Sequence, residues 1–138
     1  MNLLIKLNKR NIDKIPTLIV IILIILICIS FIKREIDKRE IKNNMSITVA
    51  YILKAYPGRS GQLIDYYYLA NGTKHYGKYQ LYIGLRNAEL LVNHRFLLVY
   101  SKKNANKRQI LIHPNDYKNY NMDYPDSLNW VRKMIEDN

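Results

Sequence analysis

Apolar residues are concentrated in one unbroken stretch near the amino terminus, from Ile15 to Ile32. Fourteen of its eighteen residues are Ile, Leu, Val or Phe, and the exceptions are Pro16, Thr17, Cys28 and Ser30. At about 1.5 Å of rise per residue, a helix of this length measures roughly 27 Å, close to the hydrocarbon thickness of a bilayer. The pattern therefore predicts a single transmembrane helix over residues 15–32, in contact with membrane lipid.

A basic leader, residues 1–14, precedes this stretch and resembles the start of a signal peptide. The apolar run is longer than the roughly 7 to 15 residues of a signal-peptide core. In addition, Phe31, Ile32 and Lys33 occupy the place where small residues would mark a cleavage site. We therefore expect an uncleaved signal anchor and a single-pass protein of the cell membrane.

The basic residues do not decide on which side of the membrane the rest of the chain lies. Four Lys or Arg residues precede the apolar stretch, and five follow it within ten positions. The positive-inside rule counts these residues, and a difference of one does not decide the orientation.

A charged segment, residues 33–45, follows the apolar stretch. Glu35 and Arg39 are four positions apart, a spacing that stabilises a helix. We expect the helix to continue outward as a charged stalk. Its basic residues either face solvent or contact anionic lipid headgroups.

Beyond the stalk, the pattern changes to the β-branched and aromatic runs typical of strands. Asn71-Gly72 is a strong hairpin signal, because both turn positions tolerate positive φ. A two-residue turn there places Tyr67 opposite Tyr76 and Asp65 opposite Lys78. It also places Tyr66 opposite Gly77. The predicted strands are Ser46–Tyr56, Gln62–Ala70, Thr73–Ile83, Arg95–Ser101 and Gln109–His113.

Turns and helices are predicted between and after these strands. We expect a turn over residues 57–61, a short helix or turn over 87–92 and a polar loop over 102–108. A last helix over residues 127–136, capped by Asp126, carries Leu128, Val131 and Ile135 on one face. That face is expected to pack on the sheet, and the alternative is a membrane-surface helix in which Trp130 contacts lipid.

These elements predict one small, mainly β domain over residues 46–138, with about five antiparallel strands in a barrel or a sandwich and a C-terminal helix. Within it, Gly61 precedes Tyr66, Tyr67 and Tyr68, then come Gly77 and residues 96–101, and finally Ile110–Ile112 after a polar loop. This order resembles that of a group of bacterial membrane-anchored β-domains. The resemblance covers residues 46–113 and implies a location in the bacterial inner membrane, but no activity.

The residues that could support catalysis are few. Cys28 is the only cysteine, so the β domain has no disulfide, thiol nucleophile or cysteine metal site. His75, His94 and His113 match no zinc motif in their spacing. Gly58–Gly61 is too short for a phosphate-binding loop. The sequence therefore predicts no catalytic residue, no cofactor and no metal site.

Charge and aromatic content suggest what the domain binds. The chain carries a net charge of +11, and all twelve of its tyrosines lie between residues 51 and 124. A basic, aromatic sheet suits single-stranded nucleic acid, whose bases stack on rings and whose phosphates attract cations. Tyrosine is also a common packing residue in strands, and no ribonucleoprotein motif is present.

We therefore predict a non-enzymatic membrane protein whose β domain binds a protein partner or supports an envelope assembly. The first alternative is a binder of an anionic polymer, either nucleic acid or acidic glycan. Its candidate contacts are the basic residues of the predicted polar loop, namely Lys102, Lys103, Lys107 and Arg108. The second alternative is a small hydrolase, which requires Asp116 or Asp123 to meet His94 or His113.

Overall fold

The first element of the structure is a long helix, α1 (Ile15–Asn43). The computed structural model describes the backbone of residues 15–137 and the side chains of residues 18–137. The predicted basic leader lies outside the described residues. The helix continues through the charged segment, as predicted. The chain forms two compact units, of which the first ends at Lys38 and the second begins at Arg39.

The apolar part of α1 is exposed on all sides. Every large apolar side chain between Leu18 and Ile32 is 47–68% exposed. Among the described residues, no helix is both long enough and apolar enough to cross a membrane. The helix predicted at residues 15–32 is therefore present, but over its described residues it does not meet the length and hydropathy expected of a membrane span.

Five antiparallel strands form one sheet in the second unit, in the order β3-β2-β1-β4-β5. Their bounds are β1 (Met45–Gly58), β2 (Gly61–Ala70), β3 (Thr73–Leu81), β4 (Arg95–Ser101) and β5 (Asn104–Ile110). The sheet curls into a nearly closed, barrel-like form. Across the closing gap, the Arg108 guanidinium of β5 donates a hydrogen bond to the Tyr76 carbonyl of β3 at 2.8 Å. The prediction of five antiparallel strands is confirmed, and of the two expected forms the barrel is the one found.

The hairpin of β2 and β3 has the predicted register. Tyr67 pairs with Tyr76, Asp65 with Lys78 and Tyr66 with Gly77. The turn residues Asn71 and Gly72 have φ angles of 51° and 75°. These are the positive values that such a hairpin turn requires.

The inner face of the sheet holds the main hydrophobic core. Alternate residues of each strand point into it, including Ala50, Ile64, Tyr68, Leu98 and Ile110. Two helices, α2 (Leu85–Glu89) and α4 (Asn129–Glu136), complete this core through Ala88 and Val131. Leu128 and Ile135 pack against it, so the predicted apolar face of the last helix lies on the sheet.

A second cluster covers part of the outer face. Val99 of β4 packs there with Leu111 and with Ile41 from the end of α1. The segment that follows β5 adds Tyr117 from α3 (Pro114–Asn119) and Tyr120. One part of the outer face is therefore buried, whereas the part on β2 and β3 is left uncovered.

Several predicted elements differ from the structure. The turn predicted at residues 57–61 is shorter, because β1 runs to Gly58 and β2 begins at Gly61, and β3 ends at Leu81 rather than Ile83. The helix or turn predicted at residues 87–92 is α2, which begins two residues earlier, at Leu85.

The prediction of a polar loop at residues 102–108 is wrong, because β5 begins at Asn104 and pairs with β4. The predicted strand at residues 109–113 ends at Ile110 instead. The sequence placed the strand on its most apolar residues, but Leu111 and Ile112 are buried just after it. Asp126 does not cap the last helix; it opens a 3-10 turn, Asp126–Leu128, before α4.

Candidate binding face

The uncovered part of the outer face carries a row of tyrosines that crosses three strands. Tyr51 of β1 pairs in register with Tyr67 of β2, which pairs with Tyr76 of β3. Because residues in register on adjacent strands share a face, the three rings project to the same side. On the other flank, Arg95 of β4 pairs with Tyr51. We call Tyr51, Tyr67 and Tyr76 the tyrosine row.

The rings of the tyrosine row contact one another. Tyr51 and Tyr67 are stacked, with ring centroids 4.9 Å apart and an angle of 8° between their planes. Tyr76 lies 6.4 Å from Tyr67 and is tilted by 51°. Its side chain is 62% exposed. The row therefore offers aromatic surface to a ligand at the edge of the sheet.

Cations lie directly beside these rings. The Lys74 Nζ is 3.9 Å from the ring centroid of Tyr67 and 5.4 Å from that of Tyr76. The Arg95 guanidinium is 6.0 Å from the ring centroid of Tyr51. These are cation–π distances, and they hold positive charge at both ends of the row.

A second line of side chains runs beside the row and contains one acid. The Lys54 Nζ lies 3.3 Å from an Asp65 carboxylate oxygen, and the Tyr56 hydroxyl donates to the same carboxylate at 2.9 Å. A hydrogen bond with Tyr56 raises the pKa of Lys78, and the negative charge of Asp65 also raises it. Lys78 is therefore protonated at neutral pH. With four cations and one carboxylate, the face has a net positive charge.

A groove of about 260 Å³ lies next to Tyr76 and Lys78. Gly77 is part of its lining, and the Tyr66 ring lies so close to Gly77 that a Cβ atom there would overlap the ring. The remaining lining residues are Leu53, Asp65 and Arg108. The groove gives the exposed end of the tyrosine row a recess in which a ligand group can be held.

The four basic residues proposed from the sequence do not form one patch. Lys102 and Lys103 are exposed in the turn between β4 and β5. Lys107 forms an ion pair with Glu40. Arg108 lies on the inner side of β5, in register with the buried Tyr100, and its guanidinium is 5.5 Å from the ring centroid of Tyr68. Of the four residues it alone lines the groove, where it donates to the Tyr76 carbonyl.

The two histidines of the hydrolase alternative, His94 and His113, lie in different environments. His94 contacts the Trp130 ring, with centroids 5.1 Å apart. The His113 Nδ1 accepts a hydrogen bond from the Asn115 backbone N–H, and the Asp116 carboxylate accepts from the His113 backbone N–H at 2.9 Å. These two side chains form the capping box of α3 rather than an acid–base pair. Within the described part of the chain, no cluster of three His, Cys, Asp or Glu residues could hold a metal ion.

Sequence reasoning found part of the candidate face and missed the rest. The hairpin register placed Tyr67 beside Tyr76 and Asp65 beside Lys78. Tyr51 and Arg95 were missed because their places depend on the pairing of β1 with β2 and β4. The available signal was the run Tyr66–Tyr68, in which the period of a strand sends Tyr67 to the face opposite its neighbours.

No family model, curated protein or solved structure matches this chain. The resemblance to bacterial membrane-anchored β-domains therefore stays a prediction.

Proposed function

We propose that the β domain binds single-stranded nucleic acid on the tyrosine row. The observation that carries this proposal is the set of three exposed or half-buried rings in register, with Lys74 and Arg95 over them. Rings stack on bases without reading sequence, and nearby cations neutralise phosphates. Sheets that present aromatic residues in this way are a common means of holding RNA.

The size of the face sets the length of strand that it holds. Adjacent strands lie about 4.8 Å apart, so the row from Tyr51 to Tyr76 spans roughly 10 Å. That distance suits about two or three stacked bases. Lys54 and Lys78 lie beside the row, where they can contact the phosphates of the same strand.

We further propose that the apolar part of α1 attaches the chain to a membrane. A helix that is apolar on all sides is stable only when it is surrounded by apolar material. The exposed side chains between Leu18 and Ile32 have this character. Extraction of cell membranes with alkaline carbonate tests the attachment, and release of the full chain into the supernatant would contradict it.

Binding is tested with the full chain in nanodiscs and a fluorescent single-stranded oligonucleotide. Replacing both Tyr67 and Tyr76 with alanine should weaken binding by roughly tenfold or more, since a stacked base contributes about 1–3 kcal/mol. Lys74→Gln should reduce the salt dependence of binding. Lys118→Gln removes the same charge from α3 and is the matched control, so an equal effect would point to net charge alone.

A ring-free polyanion separates stacking from charge. An acidic glycan should bind more weakly than the oligonucleotide, and its binding should be insensitive to the tyrosine substitutions. Equal binding of the two would replace nucleic acid with acidic glycan as the proposed ligand. If the chain bound neither polymer, the proposal would be contradicted.

A protein partner is the second candidate function, and the apolar neighbours of the row favour it. Ile47 and Leu69 are about half exposed on the candidate face. Exposed apolar and tyrosine side chains together are typical of protein interfaces. Changing Lys74 and Lys78 to glutamine should leave such a contact largely intact, whereas binding of a polyanion to the tyrosine row should become weaker and less dependent on salt.

The side of the membrane on which the β domain lies distinguishes nucleic acid from an envelope protein as its ligand. Cys28→Ser combined with Asn104→Cys leaves one thiol, at an exposed position in β5. Labelling of intact cells by a membrane-impermeant thiol reagent would place the domain outside the cytoplasm and favour an envelope protein. Labelling only after lysis would place it in the cytoplasm, where nucleic acid is available.

A further inference from the structure

A second recess lies on the outer face, where the segment after β5 covers β1 and β4. Its volume is about 250 Å³. The wall is mostly apolar and includes Val49 and Leu97 from the sheet and Leu128 from the covering segment. Pockets of this type, apolar with a few polar groups, are the usual binding sites for small molecules.

The polar groups of this recess are hydrogen-bond donors. Arg95 lines it with an exposed, permanently charged side chain. Tyr117 also lines it and is only 1% exposed, and among the described residues its buried hydroxyl has no hydrogen-bond partner. Ser127 adds a second hydroxyl. An unpaired buried hydroxyl is costly, and a ligand that accepts its hydrogen bond recovers that cost.

Tyr117 can act only as a neutral group here. Burial, together with the nearby Tyr124 and Asp116, raises its pKa to about 12. The phenol therefore keeps its proton at physiological pH and is available as a donor. The ligand that fits must bring an acceptor, and the Arg95 guanidinium favours one with negative charge.

We propose that this recess binds a small carboxylate with an apolar body. The apolar body lies against Val49, Leu97 and Leu128. The carboxylate faces Arg95 and accepts a hydrogen bond from the Tyr117 hydroxyl. This recess adjoins the proposed nucleic-acid site and shares Arg95 with it.

The test uses 3-phenylpropionate as the probe and the full chain in nanodiscs. Methyl NMR signals of Val49, Leu97 and Leu128 report on the recess itself, so uptake of the probe by lipid is not mistaken for binding. These signals should shift and saturate with the acid. The neutral alcohol 3-phenylpropanol should bind about tenfold more weakly. Equal affinity of acid and alcohol would overturn the assigned role of the charge.

Two variants locate the site. Tyr117→Phe removes only the unpaired hydroxyl, so the fold should be as stable as before or more stable while affinity for the acid falls about tenfold. Val49→Phe fills the recess and should abolish binding. Ile47→Phe is its matched control, because it lies two residues away on the same strand and does not line the recess. Full binding by both Tyr117→Phe and Val49→Phe, or no saturable shift in the unmodified protein, would overturn the proposal.

Discussion

Tyrosines with opposite roles stand next to one another on β2. Tyr68 is fully buried on the inner face, where its hydroxyl donates to the Ala105 carbonyl at 2.6 Å and its ring stacks on His75. Tyr67 faces outward, between the Tyr51 ring and the Lys74 ammonium. The two residues differ only in strand parity, so one residue type both holds the barrel together and forms the proposed binding surface.

The largest effect is expected where the inner tyrosine is removed. Tyr68→Ala leaves a cavity under the sheet and an unpaired carbonyl at Ala105. It should lower the free energy of unfolding by about 3–5 kcal/mol, in the range seen for large aromatic deletions in cores. Urea denaturation followed by circular dichroism measures this change.

Tyr67→Ala is the matched control on the outer face. It removes the same side chain one residue away and should cost about 1 kcal/mol or less, mainly from lost stacking. If the two substitutions destabilised the domain equally, the assignment of Tyr68 to the core and of Tyr67 to the binding face would be wrong.

Gly77 lies opposite Tyr66, a second tyrosine of the inner face, and the Tyr66 ring fits there only because Gly77 has no side chain. A Cβ atom on Gly77 would overlap the end of the Tyr66 ring. Gly77→Ala should therefore destabilise the domain by about 1–3 kcal/mol through overpacking. Adding Tyr66→Leu should recover part of that loss. A double variant no more stable than Gly77→Ala alone would show that the overlap is not the cause.

The sequence was sufficient where a feature depends on neighbouring residues in the chain. The hairpin at Asn71-Gly72 has its predicted register, because a two-residue turn sets every pair that follows it. The strand Arg95–Ser101 has its predicted bounds, since its apolar run is short and ends at a polar turn. The packing of Val131 followed from helical spacing alone.

Features that depend on distant pairing could not be predicted in this way. Tyr51 meets Tyr67 only because β1 pairs with β2, and Arg95 joins them only because β1 also pairs with β4. Polar residues of β5, such as Asn104, look like a loop until β4 pairs with them. The donors of the second recess come together only when the segment after β5 folds back over the sheet.

Alkaline pH tests the covered part of the outer face, where the two tyrosines Tyr117 and Tyr120 are buried. Burial raises the pKa of both Tyr117 and Tyr120 to about 12, against about 10 in the unfolded chain. Their neutral forms therefore stabilise the fold fully below about pH 10. This stability is lost as the pH rises towards 12, at about 2 kcal/mol for each tyrosine.

Urea denaturation of the unmodified protein and of the Tyr117→Phe/Tyr120→Phe variant across this pH range measures the effect. The variant should lose less stability, because phenylalanine has no proton to release. Parallel loss of stability in the two proteins would assign the alkaline transition to other groups.

The smallest effect on stability, and the most informative for function, is expected at Tyr76. Its ring is 62% exposed at the edge of the sheet, so Tyr76→Ala should change the free energy of unfolding by about 0.5 kcal/mol or less. Affinity for a single-stranded oligonucleotide should still fall roughly tenfold, because a stacking surface is lost. Tyr76→Phe keeps the ring and should keep most of the affinity. Loss of affinity in the alanine variant alone would assign Tyr76 to binding, whereas unchanged affinity in both would remove the edge of the tyrosine row from the proposed site.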